Sequence, residues 1–180
     1  MEDSNIFKIH LKLLKHGWMD FKLSLDNENI NYIPNTYCLP LHSLIEGALF
    51  SLKNRNIVGE EFEFSHDAEQ DGECFWDIKI VENQKLKLLV RLNPDLQLTE
   101  EITELGLKWA FKYYWKEIKF LKEDTLIAIE INCVAFSKEI FRSISQLANK
   151  ISQDQYKKKA HTDFPSLTFN DLEKELIRLN

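Results

Sequence analysis

The chain has 180 residues, of which 44% are hydrophobic and 12% aromatic, enough to bury a hydrophobic core in one domain without disulfides or metals. Its formal net charge of -6 argues against a general nucleic-acid-binding protein, whose affinity would come from neutralising phosphates. The acidic start MEDSN is unlike a signal peptide, and no uncharged apolar run approaches the roughly 18–20 residues of a membrane span. We therefore expect one cytoplasmic domain over residues 1–180, without membrane contact.

The first part of the chain has the two-residue period of half-buried strands. Apolar residues alternate with polar ones over residues 7–13 and again over residues 19–25. His16-Gly17 between them can supply the positive φ angles of a hairpin turn. A turn at residues 26–29 then leads to a short strand over residues 30–33.

Pro40 begins the clearest helix, because proline is well tolerated in a first helical turn. One apolar stripe follows at helical spacing. It consists of Leu41, Leu44, Ile45, Ala48, Leu49 and Leu52.

A second set of strands follows this helix. Phe62 and Phe64 indicate a short strand, and Asp71-Gly72 indicates a turn. Alternating apolar residues over 76–80 and 86–92, joined by a turn at Asn83-Gln84, predict two or three antiparallel strands.

Residues 99–122 fit two patterns. Aromatic and apolar residues alternate strictly over residues 105–115, which favours a strand. Lysines also recur every fourth residue over 108–116, and Thr99-Glu100-Glu101 resembles a helix start. Because Lys122-Glu123-Asp124 resembles a hairpin turn and no glycine or asparagine caps a helix there, we favour the strand and leave the helix open.

The last part of the chain reads as a strand over residues 126–134 followed by helices. Ser137 would cap a helix whose apolar stripe runs to Ile151, with Lys157-Lys158-Lys159 near its end. Asn170 with Glu173 fits a capping box that starts a last helix. The predicted fold is α+β: an antiparallel sheet of about six to eight strands, with two or three amphipathic helices packed on one face.

The densest charge lies between residues 60 and 73, where seven carboxylates occupy fourteen positions. Such a density is unfavourable unless water, a cation or a basic partner screens it. We interpret the segment as a surface that steers a basic protein partner, with an aromatic anchor beside it. The predicted partner-binding residues are Glu60, Glu61, Glu63, Asp67, Glu69, Asp71, Glu73, Phe75 and Trp76.

Metal binding is a weaker interpretation of the same segment. The spacing of Asp67, Glu69 and Asp71 before Gly72 imitates the first half of a calcium loop, but the twelfth position is Ile78 and strand residues follow. His66 near Cys74 lacks the paired ligand spacing of zinc sites. We expect no metal or other cofactor.

Motifs of nucleophilic catalysis and phosphate binding are absent from the sequence. It contains no GxSxG, GxGxxG or GxxxxGK[ST], and its three cysteines are scattered without a CxxC pair. Scattered cysteines suit reduced thiols, and Cys133 fits a small core residue. We therefore assign no catalytic residues and leave open whether the protein is an enzyme.

The order of these features resembles a family of small, uncharacterised bacterial proteins. The matching pieces are His16-Gly17-Trp18, the helix after Pro40, Asp71-Gly72 leading to Trp76, the strand 126–134 running into the Ser137 helix, and Tyr156 with Phe164-Pro165. The resemblance covers most of the chain except residues 95–120. It implies the α+β fold and supplies no catalytic residues. In size, acidity and α+β composition the chain is also similar to immunity proteins that neutralise bacterial toxins.

Three functional hypotheses follow from the sequence. The first is a non-enzymatic, immunity-like binding module that presents the acidic segment to a basic protein. The second is an enzyme or small-molecule binder with a pocket between sheet and helices, lined by aromatic residues such as Trp18, Trp76 and Trp109. The third is single-stranded nucleic-acid binding through residues 108–122, which the acidic net charge disfavours.

Overall fold

The computed structural model describes residues 7–14, 18–25, 28–32, 39–68, 72–93 and 124–179. The strands are β1 (Phe7–Leu13), β2 (Met19–Leu25), β3 (Glu28–Tyr32), β4 (Glu61–Ala68), β5 (Gly72–Glu82), β6 (Lys85–Asn93) and β7 (Asp124–Asn132). The helices are α1 (Pro40–Lys53), α2 (Cys133–Ala148), α3 (Gln153–Ala160) and α4 (Ser166–Arg178). The predictions for His16-Gly17 and residues 99–122 lie outside the described residues.

The described strands form two antiparallel sheets, with strand orders β1-β2-β3 and β4-β5-β6-β7. The α+β class and the antiparallel pairing are therefore confirmed. The prediction of one sheet with six to eight strands is wrong, because the larger described sheet has four. The helix α1 follows β3, and the next strands pair among themselves instead of extending the first sheet. The described residues also hold four helices, one more than the largest number predicted.

Helix α1 begins at Pro40 as predicted, and its apolar stripe is buried. It approaches the larger sheet closely at Gly47, where a Cβ atom would lie 2.9 Å from Ile78 Cδ1 and 3.1 Å from Phe64 Cε1. The missing side chain therefore lets the helix backbone come close to β4 and β5. One cluster of buried apolar residues includes members of both sheets and of all four described helices.

Helix α2 begins earlier than predicted. Asn132 is its N-cap, because its side chain accepts hydrogen bonds from the backbone N–H of Val134 (2.9 Å) and Ala135 (3.1 Å). The predicted cap, Ser137, is buried inside the helix, and its hydroxyl donates to the carbonyl oxygens of Ala48 and Cys133. The strand predicted to reach residue 134 therefore stops at 132, where the asparagine side chain satisfies the first free donors of the helix.

The helical C-terminal region also differs from the prediction. Ser152 and Gln155 form a capping box that starts the separate helix α3, so the lysines at 157–159 lie in α3 and not near the end of α2. The last helix begins at Ser166, and Asn170 therefore lies inside it. The predicted capping box at Asn170 is wrong.

The edge of the first sheet is covered by polar side chains of α2. Ile9 of β1 donates its N–H to Glu139 Oε1 at 2.8 Å, and its carbonyl oxygen accepts from Ser143 Oγ at 2.8 Å and Arg142 Nη2 at 3.0 Å. Glu139 is buried and also accepts from Arg142 Nε at 2.7 Å. These side chains replace the neighbouring strand that an edge strand lacks.

Replacing Glu139 tests this arrangement. Glu139→Ala leaves the N–H of Ile9 without its acceptor and removes the carboxylate beside Arg142. We expect the free energy of unfolding in urea to fall by about 2 kcal/mol. Gln146→Ala, at an exposed position of the same helix, is the control and should change it by no more than about 0.5 kcal/mol. Equal losses in the two variants would contradict the proposed role of Glu139.

Candidate functional site

The β4–β5 hairpin separates apolar from charged side chains by its two-residue period. The pairs Phe62/Ile78, Phe64/Trp76 and His66/Cys74 belong to the row that α1 and the core cover. The alternate pairs Glu61/Lys79, Glu63/Asp77 and Ser65/Phe75 therefore belong to the opposite side of the sheet. We call this side the outer face. Its main residues are Glu61, Glu63, Phe75, Asp77, Lys79, Lys87, Leu89, Arg91 and Glu130.

The start of β4 fixes which of these pairs come closest. Gly59 donates its N–H to Ile80 O at 2.8 Å, and Ile80 donates to Glu60 O at 2.9 Å. Gly59 has a φ of 97°, so residues 59 and 60 form a glycine bulge opposite Ile80. From this point along the hairpin, residue pairs with mutual backbone hydrogen bonds alternate with pairs that lack them. Glu63 and Asp77 therefore form a pair without such hydrogen bonds, which is the type in which side chains lie closer together.

Two carboxylate pairs are thus placed in register on neighbouring strands. Glu63 lies opposite Asp77, and Asp67 lies opposite Glu73 in the backbone register. Like charges directly opposite each other destabilise a sheet by about 0.2–1 kcal/mol a pair. The described acidic residues of this segment therefore lie along both strands of one hairpin.

A basic residue from β6 compensates part of this charge. Arg91 Nε lies 2.7 Å from Asp77 Oδ2, and its guanidinium carbon lies 5.6 Å from the centre of the Phe75 ring. At the other end of β4, Glu61 pairs with Lys79. Ion pairs of this partly exposed kind contribute little stability, but they hold the side chains in one arrangement.

The predicted partner-binding residues fall into different environments. Glu60, Glu61 and Glu63 are exposed, and Phe75 is half-buried on the outer face. For Asp67 and Glu73 the backbone register is described, whereas Glu69 and Asp71 lie outside the described residues.

Of the two residues predicted as an aromatic anchor, Phe75 and Trp76, burial excludes Trp76. Its side chain is 0% exposed and stacks on Phe64 with ring centres 5.5 Å apart. It belongs to the apolar row of β5, where it packs in the core and cannot contact a partner. Phe75, one residue earlier, is the aromatic residue on the outer face.

His66 faces the core instead of the carboxylates beside it in the sequence. Its ring lies 5.3 Å from Phe64 and 5.6 Å from Phe21, measured between ring centres. Burial lowers the pKa of His66 from 6.5 to about 3, so the ring is neutral near pH 7. Within the described part of the chain, no group of three His, Cys, Asp or Glu side chains is placed to hold a metal ion.

The sequence analysis missed the basic residues of β6. Lys87 lies between Lys79 and Glu130 in the register, and Arg91 lies opposite Phe75. Their alternation with apolar residues of β6 predicted the strand correctly. Only the pairing of β5 with β6 shows that these cations share a face with the carboxylates of β4.

Comparison of the chain with family models, curated proteins and solved structures finds no match in any of the three. Among the described helices, none is both long and apolar enough to cross a membrane.

The burial of His66 predicts a pH-dependent stability. The unfolded chain takes up a proton near pH 6.5, whereas the folded ring does so only near pH 3, so acidification favours unfolding between these values. This group should lower the free energy of unfolding by about 2 kcal/mol between pH 7.5 and pH 5. Urea unfolding of the wild type and of His66→Phe at both pH values measures the difference. Parallel pH profiles for the two proteins would contradict this prediction.

Proposed function

We propose that the protein is a non-enzymatic binding module that presents the acidic β4–β5 hairpin to a basic protein partner. The observation that carries the proposal is the register that sets Glu63 opposite Asp77, with Glu63 exposed on the outer face. A cationic partner would be attracted to the exposed carboxylates of this strand. An immunity-like role, in which the acidic surface neutralises a basic toxin, belongs to this class.

The composition of the hairpin supports a cationic partner. From residue 62 to residue 78 the sequence contains six carboxylates and neither lysine nor arginine. Arg91 reaches this region from β6 and pairs with Asp77. Clustered charge of one sign raises the association rate with an oppositely charged surface, most strongly at low ionic strength.

No observation on the described residues supports either of the two other hypotheses, a small-molecule pocket or nucleic-acid binding. Of the three tryptophans expected to line a pocket, Trp76 is packed in the core, Trp18 is partly buried and Trp109 lies outside the described residues. The segment 108–122, considered for nucleic-acid stacking, also lies outside them.

Charge reversal on β4 tests the proposal. The variant Glu61→Lys with Glu63→Lys should fold, because the second substitution replaces the like-charge pair of Glu63 and Asp77 with a pair of opposite charges. At low salt we expect its association rate with the basic partner to fall roughly tenfold and to depend less steeply on salt. The partner is first captured at low salt from a lysate of the source organism and identified by mass spectrometry. Rates are then measured by surface plasmon resonance.

A matched variant controls for the change in net charge. Glu46→Lys with Glu173→Lys alters the charge equally, at exposed positions of α1 and α4. It should retain most of the association rate. If both double variants bind like the wild type, or lose binding equally, the acidic hairpin is not the binding surface.

A further inference from the structure

The first sheet carries a group of basic side chains on a chain whose net charge is negative. Residues 7–25 of the sequence contain four lysines and two histidines but only one carboxylate, Asp20. Along β1 and β2, buried apolar residues alternate with polar ones that point away from the core. Four of these outward residues are exposed and form what we call the basic face: Lys8, His10, Lys12 and Lys22.

The strand register gathers the cations of the basic face around His10. His10 lies directly opposite Lys22, and Lys8 and Lys12 flank it at alternate positions of β1. Alternate residues of a strand lie about 6.8 Å apart. Lys22 is diagonal to both flanking lysines, at about 7–8 Å. Three ammonium groups can therefore reach the space above one imidazole.

The charges of the basic face are only partly compensated by the described residues. Within these, no carboxylate lies within 4 Å of the ammonium group of Lys12 or Lys22. Lys8 lies 3.7 Å from Glu139 Oε2, but Arg142 already donates to this carboxylate and the Lys8 side chain remains 46% exposed. At the outward positions of β1 and β2 the single carboxylate is Asp20, so a positive excess remains.

We propose that the basic face binds a short, extended peptide segment of a partner protein that carries carboxylates at alternate positions. These carboxylates lie over Lys8, His10 and Lys12, and Lys22 supplies the positive charge at the middle position. The basic face belongs to the sheet that does not contain the acidic hairpin, so the inference does not rest on the proposed function.

The spacing of the basic face favours an extended segment. Alternate side chains of an extended peptide lie on one side and about 6.8 Å apart, which is also the spacing of the three outward residues of β1. In a helix, residues two positions apart do not face the same way. A helix would therefore bring fewer of its carboxylates to this row.

The net charge of the chain favours a short segment over a membrane or a nucleic acid. At physiological ionic strength, charges are screened over about 8 Å. A segment of a few residues lies within this distance of the basic face, where the local charge is positive. A membrane or a long nucleic acid extends further and meets the rest of a chain with a net charge of -6.

The test measures the binding of two labelled peptides of about eight residues to the full chain by fluorescence anisotropy at low salt. One alternates glutamate with threonine, and the other has the same composition with its glutamates consecutive. We expect the alternating peptide to bind several-fold more tightly than the other. Lys12→Gln with Lys22→Gln should weaken its binding roughly tenfold, because two cations of the face are lost.

Lys150→Gln with Lys158→Gln is the control, because both lysines are exposed and the net charge changes equally. It should leave the affinity unchanged. Failure of both peptides to bind, equal binding of the two, or equal losses in the two double variants overturns the inference. A single-stranded oligonucleotide with the same number of charges is tested beside them. If it binds more tightly than the alternating peptide, the ligand of the basic face is a nucleic acid and the inference falls.

Discussion

The register between β4 and β5 is the constraint on which the outer face depends. Trp76 stacks on Phe64, and Ile78 lies opposite Phe62 beneath α1. A slip of one residue would turn this whole row towards solvent, at a cost of about 1.5–3 kcal/mol for each large apolar side chain. The like-charge pair Glu63/Asp77 costs at most about 1 kcal/mol. The core therefore decides the register, and the carboxylates are placed opposite each other as a consequence.

The two sheets bury polar groups in different ways. In the first sheet, the backbone of Ile9 is hydrogen-bonded by Glu139, Arg142 and Ser143 of α2. The hydrogen bond to Glu139 raises the pKa of Arg142, so the guanidinium stays charged at neutral pH. In the second sheet, His66 lies in the core as a neutral ring. The buried side chain of Glu139 is thus paired with Arg142, and the buried ring of His66 avoids carrying a charge.

The sequence was most informative where one local pattern decides the structure. The stripe after Pro40 and the alternation in β1, β2, β5 and β6 predicted these elements because each depends on its own residues. Helix starts were less predictable, since asparagine and serine both cap well and only the structure shows that Asn132, not Ser137, accepts from the free N–H groups. The pairing of strands could not be predicted from local sequence patterns. No residue pattern within β4 or β6 indicates that these strands lie in one sheet while β1 to β3 form another.

The candidate site was also only partly predictable, because local sequence patterns do not show which strands pair. The carboxylates of residues 60–73 are close together in the sequence and were found there, but the cations that share their face lie between residues 85 and 91, on β6. Alternation alone assigns Phe75 and Trp76 to opposite faces without saying which face is buried. That choice follows from packing, because the Trp76 row meets α1 and the Phe75 row does not. Of the two predicted anchor residues, Phe75 and Trp76, Phe75 is therefore the one on the outer face. The outer face is consequently wider than the acidic segment and contains both signs of charge.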